Sequence, residues 1–434
     1  MTLPWLAALA ADPAVPARDV VLDPDAVARR LPALLGSAAP FDLCRLERAK
    51  YRIGESVRAV YRVRSGGEQH LVAARSFANG SGRIAYAHAL EAAVPAGGLN
   101  PVAHDLPIDT VWWTFPNDRR LTSLTALMSP SLLSPGAEWR SWTRSEVVQL
   151  APERTVTVRA LDADGGVVGY AKAYAPTPVS PIPELVARYE LMADGFAAAS
   201  LGVASPRVAA SSQEHGIILQ EAMPGHPWSD VGPDALPVVM HRLGEALACT
   251  HGFDTAPFEA TGIHRFARLS AERAVHCAEL VATGRPDVAD LAQRVGERLA
   301  AAEPPDLGVD CVLHGDVHPK NALLDGDRLS MIDIDQAGLG PAAADIASLI
   351  ARVQYGTMIG DWDAITARQL IRAFVESYGA HRALPDQDTI RWHVAAATVA
   401  ERALRAVSRV RVEGLTHLPE LLLRAEAALT DEPW

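Results

Sequence analysis

The run HGDVHPKNALL at 314–324, followed by MIDIDQAG at 331–338, narrows what this chain can fold into more than any other segment. The apolar trio Cys311, Val312 and Leu313 reads as a buried strand that runs into a loop holding Asp316 and Asn321. A second apolar run ends in Asp333. Two carboxylates and one amide, all hard oxygen donors, therefore arrive at adjacent loop ends. Such a set suits Mg²⁺ beside a nucleotide triphosphate, with one carboxylate left to face an incoming hydroxyl. A His-Gly-Asp triplet alone would say little, because Gly-Asp is ordinary turn chemistry and Asp or Asn often merely caps a turn. The information lies in the ordered combination: His314, Gly315, Asp316, His318 and Asn321, then the run to Asp333, then Asp345-Ile346-Ala347.

On those residues the chain resembles the aminoglycoside phosphotransferase family, small-molecule kinases of the protein-kinase-like fold. The resemblance covers roughly the last two-thirds of the sequence and implies ATP-dependent phosphorylation of a hydroxyl. It implies Asp316 as the aspartate that orients the acceptor and takes its proton, and Asn321 and Asp333 as the Mg²⁺ ligands. His318 falls where protein kinases keep a lysine near the transferring phosphate, so it is expected to hydrogen-bond that group. Asp345 opens an expected helix and reads as its N-terminal cap. In the family the matching Asp steadies the catalytic loop.

Length and composition agree with an enzyme of this kind. A chain of 434 residues implies two or three packed units. With 49% apolar and 21% charged residues it is globular rather than disordered. No apolar run approaches the ~20 residues that span a bilayer. The opening MTLPWLAALAADPA lacks a basic n-region and is interrupted by Pro4, which argues against a signal peptide. Cys44, Cys249, Cys277 and Cys311 are scattered without metal-type pairing, so a reduced, cytoplasmic setting is expected. Residues 225–434 hold 19 Lys+Arg against 30 Asp+Glu, and the whole chain carries −12. No basic face is advertised to a nucleic acid. The acidic half carries the motif, so its field favours a cationic substrate, although acidic helices also serve solubility alone.

Only Lys50, Lys172 and Lys320 are lysines; the other 37 basic residues are arginines. Lys172 lies on the third of three expected strands, TRSEVVQL, RTVTVRAL and VVGYAKAYA, where the resemblance places the lysine that contacts the α/β-phosphates. Asp162-Ala163-Asp164-Gly165-Gly166 joins the second and third as a hairpin. The helix IPELVARYELMADGFAAA follows, with Leu185, Tyr189, Met192 and Phe196 as its apolar stripe. It is expected to supply the Glu that pairs with Lys172: Glu190, with Glu184 as rival. The strand HGIILQEAMPG then resembles the inter-lobe hinge, where the Glu221 carbonyl and the Met223 amide, just after Gln220, would read adenine. Beyond it, helices are expected over 235–251, 268–283, 287–302, 343–356, 363–378, 389–410 and 417–429. His251, ending the first, reads as a packing or hydrogen-bonding histidine. No Gly-rich loop joins the first two strands; Ala151-Pro152-Glu153-Arg154 stands there, with Arg154 a conceivable phosphate helper.

The N-terminal third contains an internal echo. Residues 50–77 and 148–174 share a polar turn with Glu (Glu55, Glu153), an alternating strand, a Gly-Gly hairpin and a third strand. Arg75 stands where Lys172 stands. Two ordinary antiparallel sheets would also look alike, since alternation with Gly-Gly is common. The run VWWTFPNDRRL at 111–121 reads as a strand edge packed against the kinase lobes, in preference to a substrate-cleft lining.

The expected fold is α+β: a bilobal protein-kinase-like fold with a small β-rich N-lobe (136–223) and a helical C-lobe (224–434). It is preceded by an N-terminal α/β cap (1–135) holding a degenerate N-lobe-like sheet, and maltokinase-like relatives also carry extra N-terminal domains. The expected activity is ATP- and Mg²⁺-dependent transfer to a hydroxyl of an amino sugar, a sugar or an amino alcohol. A kinase acting on Ser/Thr of a small peptide, or a nucleotide-binding pseudokinase, are the alternatives. The pseudokinase is disfavoured because Lys172, Asp316, Asn321 and Asp333 are all present.

Overall fold

The computed structural model describes residues 9–133, 139, 141–199, 201–230, 232, 235–262, 270–304 and 310–430. The apolar opening at 1–8, and residues 268–269 of one expected helix, lie outside them. The fold is mixed α+β and divides into two compact units. One comprises 1–182, 209–220 and 407–410; the other comprises 183–208, 221–406 and 411–434.

The first unit is built on two five-stranded sheets. In one, β1 (Leu43–Arg52), β2 (Ser56–Ser65), β3 (Glu68–Phe77), β4 (Val102–Asp105) and β5 (Thr110–Thr114) are ordered β1-β2-β3-β5-β4. Helices Arg18–Leu22, Pro24–Leu34 and Gly82–Glu91 pack on it. Arg30 grips Asp105 with two hydrogen bonds, and Tyr61 donates to the Val21 carbonyl at 2.8 Å. In the other sheet, β6 (Arg144–Ala151), β7 (Thr155–Leu161), β8 (Val167–Tyr174), β10 (Val208–Ser212) and β11 (Ile217–Glu221) are ordered β10-β11-β8-β7-β6. Alternation sets the core here: Val156, Val158, Ala160, Ala171 and Ala173 turn inward against Leu124, Leu127 and Trp142. β5 is an interior strand between β3 and β4 with every residue buried, so the tryptophan run is neither an edge nor a cleft lining.

The two sheets share a register. Ser56 faces Phe77 and Arg58 faces Arg75 in the first; Thr155 faces Tyr174 and Thr157 faces Lys172 in the second. Arg75 lies over the Phe77 ring at 4.8 Å, and the Lys172 ammonium lies 5.8 Å from the Tyr174 ring centre. Each carries one bulge on its first strand, between Leu46 and Arg48 and between Val147 and Gln149.

An ionic cluster fixes the β6–β7 turn. Glu153 adopts a left-handed backbone (φ 62°) and is nearly buried. Its carboxylate pairs with Arg75, with Arg58 at 2.8 Å and with Arg119 at 2.5 Å. Its amide donates to Asp118 at 2.9 Å. Burial works against the charged Glu153, but Arg119, Arg75 and Arg58 prevail and hold its carboxyl below the ordinary range. Arg58 and Arg75 are held down in turn by burial, and by neighbouring guanidiniums, Arg75 first for Arg58 and Arg119 first for Arg75.

In the second unit, β12 (His226–Pro227), β14 (Ala322–Asp325), β15 (Arg328–Met331) and β9 (Val203–Ala204) form a small sheet. β13 (Asp310–Leu313) and β16 (Gly338–Pro341) form a two-stranded ribbon. Around them stand helices Ile182–Ala199, Leu236–Thr250, Ala271–Gly284, Ala289–Ala301, Ala342–Met358, Ala364–His381, Gln387–Ala397 and Leu418–Ala428. Ser270, Asp363 and Asp386 cap three of them through their side chains. Leu243, Leu247, Phe374 and Tyr378 are fully buried where the helices pack, each worth roughly 1.5–3 kcal/mol in burial. The helix expected over 389–410 is broken: a π-helical turn, Thr398–Ala403, separates Gln387–Ala397 from Leu404–Ser408.

The Glu153 cluster makes an asymmetric prediction. Glu153→Ala strands three guanidiniums and should cost about 3–5 kcal/mol in chemical denaturation. Removing one arginine also relieves repulsion, so Arg75→Ala or Arg119→Ala should cost less. Because the folded-state value of Glu153 is depressed, its contribution is present above about pH 4.5 and lost as pH falls through the lower folded value. Glu153→Gln should remove that part of the acid slope of stability; an unchanged slope would assign it to other carboxylates.

Candidate functional site

Strand β13 ends at Leu313, and the chain turns at Gly315 (φ 79°). A Cβ on Gly315 would stand 2.2 Å from the Gln336 carbonyl oxygen, so only glycine lets the HGD loop lie against the loop that follows Asp333. The pairing of Leu313 with Gly338 sets the same approach from the strand side. Asp345 then fastens the loop from beneath. Its carboxylate accepts the amides of His314 at 2.7 Å and Gly315 at 3.0 Å. Asp345 is buried inside helix Ala342–Met358, whose N-cap is Pro341, so it anchors the loop and does not cap the helix. His251, also buried, contacts Asp345 at 3.4 Å and the Tyr378 hydroxyl at 2.9 Å. Burial keeps the His251 ring neutral by pushing its pKa down.

Three of the expected residues are brought together by backbone bonds. Asn321 Nδ2 donates to the Asp316 carbonyl at 3.0 Å. The Ile332 amide donates to the Asn321 carbonyl at 2.9 Å, at the mouth of the β14–β15 hairpin. Asn321 therefore precedes the hairpin and Asp333 follows it, at one end of the ribbon. Asp333 adopts a left-handed backbone (φ 57°) and its residue is exposed. Burial raises the Asp316 carboxyl; Arg405 opposes this, and Asp333 adds to it. His318 accepts the Lys320 amide on Nδ1 at 3.1 Å. Burial, then Arg352 and Arg402, push its pKa down to about 3, so the ring is neutral at physiological pH.

The other expected residues stand as follows. Lys172 is half-buried on β8 in the first unit. Glu190 accepts from the Val208 amide at 3.0 Å and pairs with Arg207 at 2.5 Å, while Glu184 pairs with Arg188. Helix Ile182–Ala199 also reaches the turn after Asp333: Arg188 donates to the Asp335 carbonyl, and Tyr189 donates to its carboxylate at 2.8 Å. The Glu221 amide donates to the Arg207 carbonyl at 3.0 Å, and Met223 is half-buried. Arg352, Arg402 and Arg405, whose charges act on Asp316 or His318, had no role in the sequence reading. For Arg402 and Arg405 the signal was the arginine-rich spacing of ERALRAVSR at 401–409.

The oxygen donors suit a hard divalent cation. Asn321 spends its NH₂ on the Asp316 carbonyl, which leaves the amide oxygen for a cation, and the Ile332 amide bond brings the backbone next to Asp333 to the same end of the hairpin. Among the described residues, no group of three or more His, Cys, Asp or Glu forms a metal cluster. A carboxylate and an amide, completed by phosphates and water, is the way Mg²⁺ is usually held.

Residues 178–393 match the model of the phosphotransferase enzyme family, and over that stretch the chain is a member of it. It is accordingly a phosphotransferase with an alcohol group as acceptor, a small-molecule kinase. No curated protein matches the sequence. Among solved structures, the macrolide 2'-phosphotransferase of Brachybacterium faecium is 20% identical, covering 67% of this chain and 92% of its own, with a TM-score of 0.40. Spectinomycin phosphotransferase, in complex with ADP and spectinomycin, is 15% identical over 66% and 93%, with a TM-score of 0.48. An aminoglycoside phosphotransferase of Streptomyces rimosus is 20% identical over 64% and 98%, with a TM-score of 0.40. Among the described residues, no helix is long and apolar enough to cross a membrane.

Gly315→Ala tests the approach of the two loops. A Cβ 2.2 Å from a backbone oxygen cannot be accommodated without moving the loop. The variant should lose amide protection at 314–316 in hydrogen exchange and lower the melting temperature. Unchanged protection would mean that the Gly315–Gln336 approach does not hold the loop.

Proposed function

We propose that this protein is an ATP- and Mg²⁺-dependent kinase that phosphorylates a hydroxyl of a small molecule, with Asp316 as the group that receives the proton. The observation that carries the reading is the linked set of bonds from Asp345 through Gly315 to Asp316, and from Asp316 through Asn321 to Ile332. These bonds order the backbone on both sides of Asp316 and tie it to Asn321, and among the described residues none of them uses the carboxylate oxygens of Asp316.

The acceptor oxygen forms a bond to the γ-phosphorus as the bond to the ADP oxygen breaks, and the hydroxyl proton passes to the Asp316 carboxylate. The transition state is loose, so Asp316 acts chiefly by aiming the hydroxyl and takes its proton late. Bound Mg²⁺, held by Asn321 and Asp333, would neutralise charge on the phosphates. Neutral His318, with Nδ1 accepting, keeps Nε2–H as a donor for the transferring group. Lys172 is the proposed contact for the α/β-phosphates, with Glu190 as its supporting carboxylate. The Glu221 carbonyl and Met223 amide are the proposed adenine contacts.

Asp316→Asn should leave ATP affinity nearly intact and cut turnover about 10²–10⁴-fold, read as ADP release with Mg·ATP and an acceptor. Comparable turnover would remove Asp316 from the reaction. Asp333→Ala should abolish the Mg²⁺-dependent part of ATP binding in calorimetric titration, because a carboxylate ligand is lost. An unchanged Mg²⁺ enhancement would place the metal elsewhere.

A further inference from the structure

Helix Ile182–Ala199 is expected from the sequence to serve the site through a glutamate. In the structure Glu190 is engaged by Arg207 at 2.5 Å and by the Val208 amide at 3.0 Å. The two residues before it turn to the metal loop instead. Tyr189, fully buried, donates its hydroxyl to Asp335 Oδ1 at 2.8 Å. Arg188, also buried, donates through Nη1 to the Asp335 carbonyl, while Glu184, one turn earlier, holds its Nη2 at 2.5 Å. Glu184 therefore aims Arg188. Asp335 is gripped at its main chain and at its side chain by two successive residues of one helix.

Asp335 is the middle residue of the short 3₁₀ turn Ile334–Gln336, and Asp333 enters that turn with a left-handed backbone (φ 57°). This conformation is disfavoured for a residue with a side chain and persists where the surroundings hold it. The turn lies between β15 and β16, so the strand ladders do not supply that hold. Its ties come from elsewhere. Before Asp333, the Ile332 amide donates to the Asn321 carbonyl at 2.9 Å. After it, the Ala337 amide closes the turn on the Ile334 carbonyl at 2.9 Å, and the Gln336 carbonyl lies against Gly315. Tyr189 and Arg188 fasten the middle of the turn from the helix side. Residue Asp333 itself stays exposed, as a group that meets a cation must be.

We infer that Asp335 is a positioning residue for the divalent cation: Tyr189 and Arg188 hold it, and through it they fix the turn that aims the Asp333 carboxylate. This rests on the kinase reading above and adds the residues that order its metal ligand. A carboxylate aimed in advance loses less freedom when it binds, so the ordering is read as affinity for the cation. Lost aim is offset by a higher cation concentration, whereas a lost ligand is not. Tyr189 is fully buried and cannot itself ligate, so removing its hydroxyl separates aiming from ligation.

The test titrates the full chain with ATP by calorimetry over a series of Mg²⁺ concentrations, and follows hydrogen exchange in the metal-free protein. Tyr189→Phe keeps the ring and removes the hydroxyl. It should leave Mg²⁺-free ATP affinity unchanged and raise the Mg²⁺ concentration for half-maximal enhancement about tenfold, the scale on which hydrogen-bond partners of metal ligands act. Saturating Mg²⁺ should restore the full enhancement. Without metal or nucleotide, the same variant should lower protection of the Ala337 amide. Asp335→Asn keeps an oxygen for Tyr189 and should stay closer to the parent than Asp335→Ala. An unchanged Mg²⁺ requirement in Tyr189→Phe would overturn the inference. So would an equal loss of ATP affinity with and without Mg²⁺, which would make the bond merely structural. Asp335→Asn as impaired as Asp335→Ala would also overturn it, by making the charge of Asp335 what matters. In each of these cases Asp333→Ala would still abolish the enhancement, and the kinase reading stands. Absence of any Mg²⁺ enhancement in the unsubstituted protein would strike that reading and the inference with it.

Discussion

The Asp345 carboxylate is the interaction on which the functional loop depends. Two successive amides, His314 and Gly315, have no strand partner where the chain leaves β13. Buried amides left unpaired would each cost roughly 1–3 kcal/mol. Asp345 satisfies both, and in doing so fixes the peptide planes immediately before Asp316. Its own burial is offset by those amides and by His251, which Tyr378 supports from behind. Helices Leu236–Thr250, Ala342–Met358 and Ala364–His381 thereby converge on one loop, and the loop inherits their rigidity. In a low-dielectric interior such a network is strong only when it is complete.

The first unit shows what a similar sheet does when its cation is used for structure. Arg75 and Lys172 occupy equivalent register positions, each over an aromatic ring two residues on. Arg75 is committed to Glu153 along with Arg58 and Arg119. A planar guanidinium shares one carboxylate with two others more readily than an ammonium does, because its donors lie in a fixed fork. The β6–β7 turn, where no glycine-rich loop exists, is thus held by charge at a left-handed Glu153.

Legibility in the sequence followed contact range. The HGD loop and Asp333 were readable because their partners lie close by: Asn321 is five residues from Asp316, and the β14–β15 hairpin brings Asp333 back to it. Most helices were readable because their apolar stripes and caps are local too. The role of Glu153 was not, since its arginines lie up to 95 residues away and nothing near 153 announces them. The tryptophan strand packs as its residues suggest, but it is interior and not an edge, because its position in the sheet comes from β3 and β4 and not from its own residues. The π-helical turn had no signal either. ATVAERALRAV carries an unbroken helical pattern, and the slip in its hydrogen bonds accompanies tertiary ties such as Ser348 to Glu401.

The hydrogen bonds that hold the loop continue into the helices behind it. Asp345 fixes the loop to one helix, Ser348 fixes that helix to the π-helical turn, and Arg402 of that turn reaches back to the Ser348 carbonyl. The hydrogen bonds that order the loop are therefore continuous with those that join the helices behind it, and any change that frees Asp345 would disturb the geometry of Asp316 and the helix packing together.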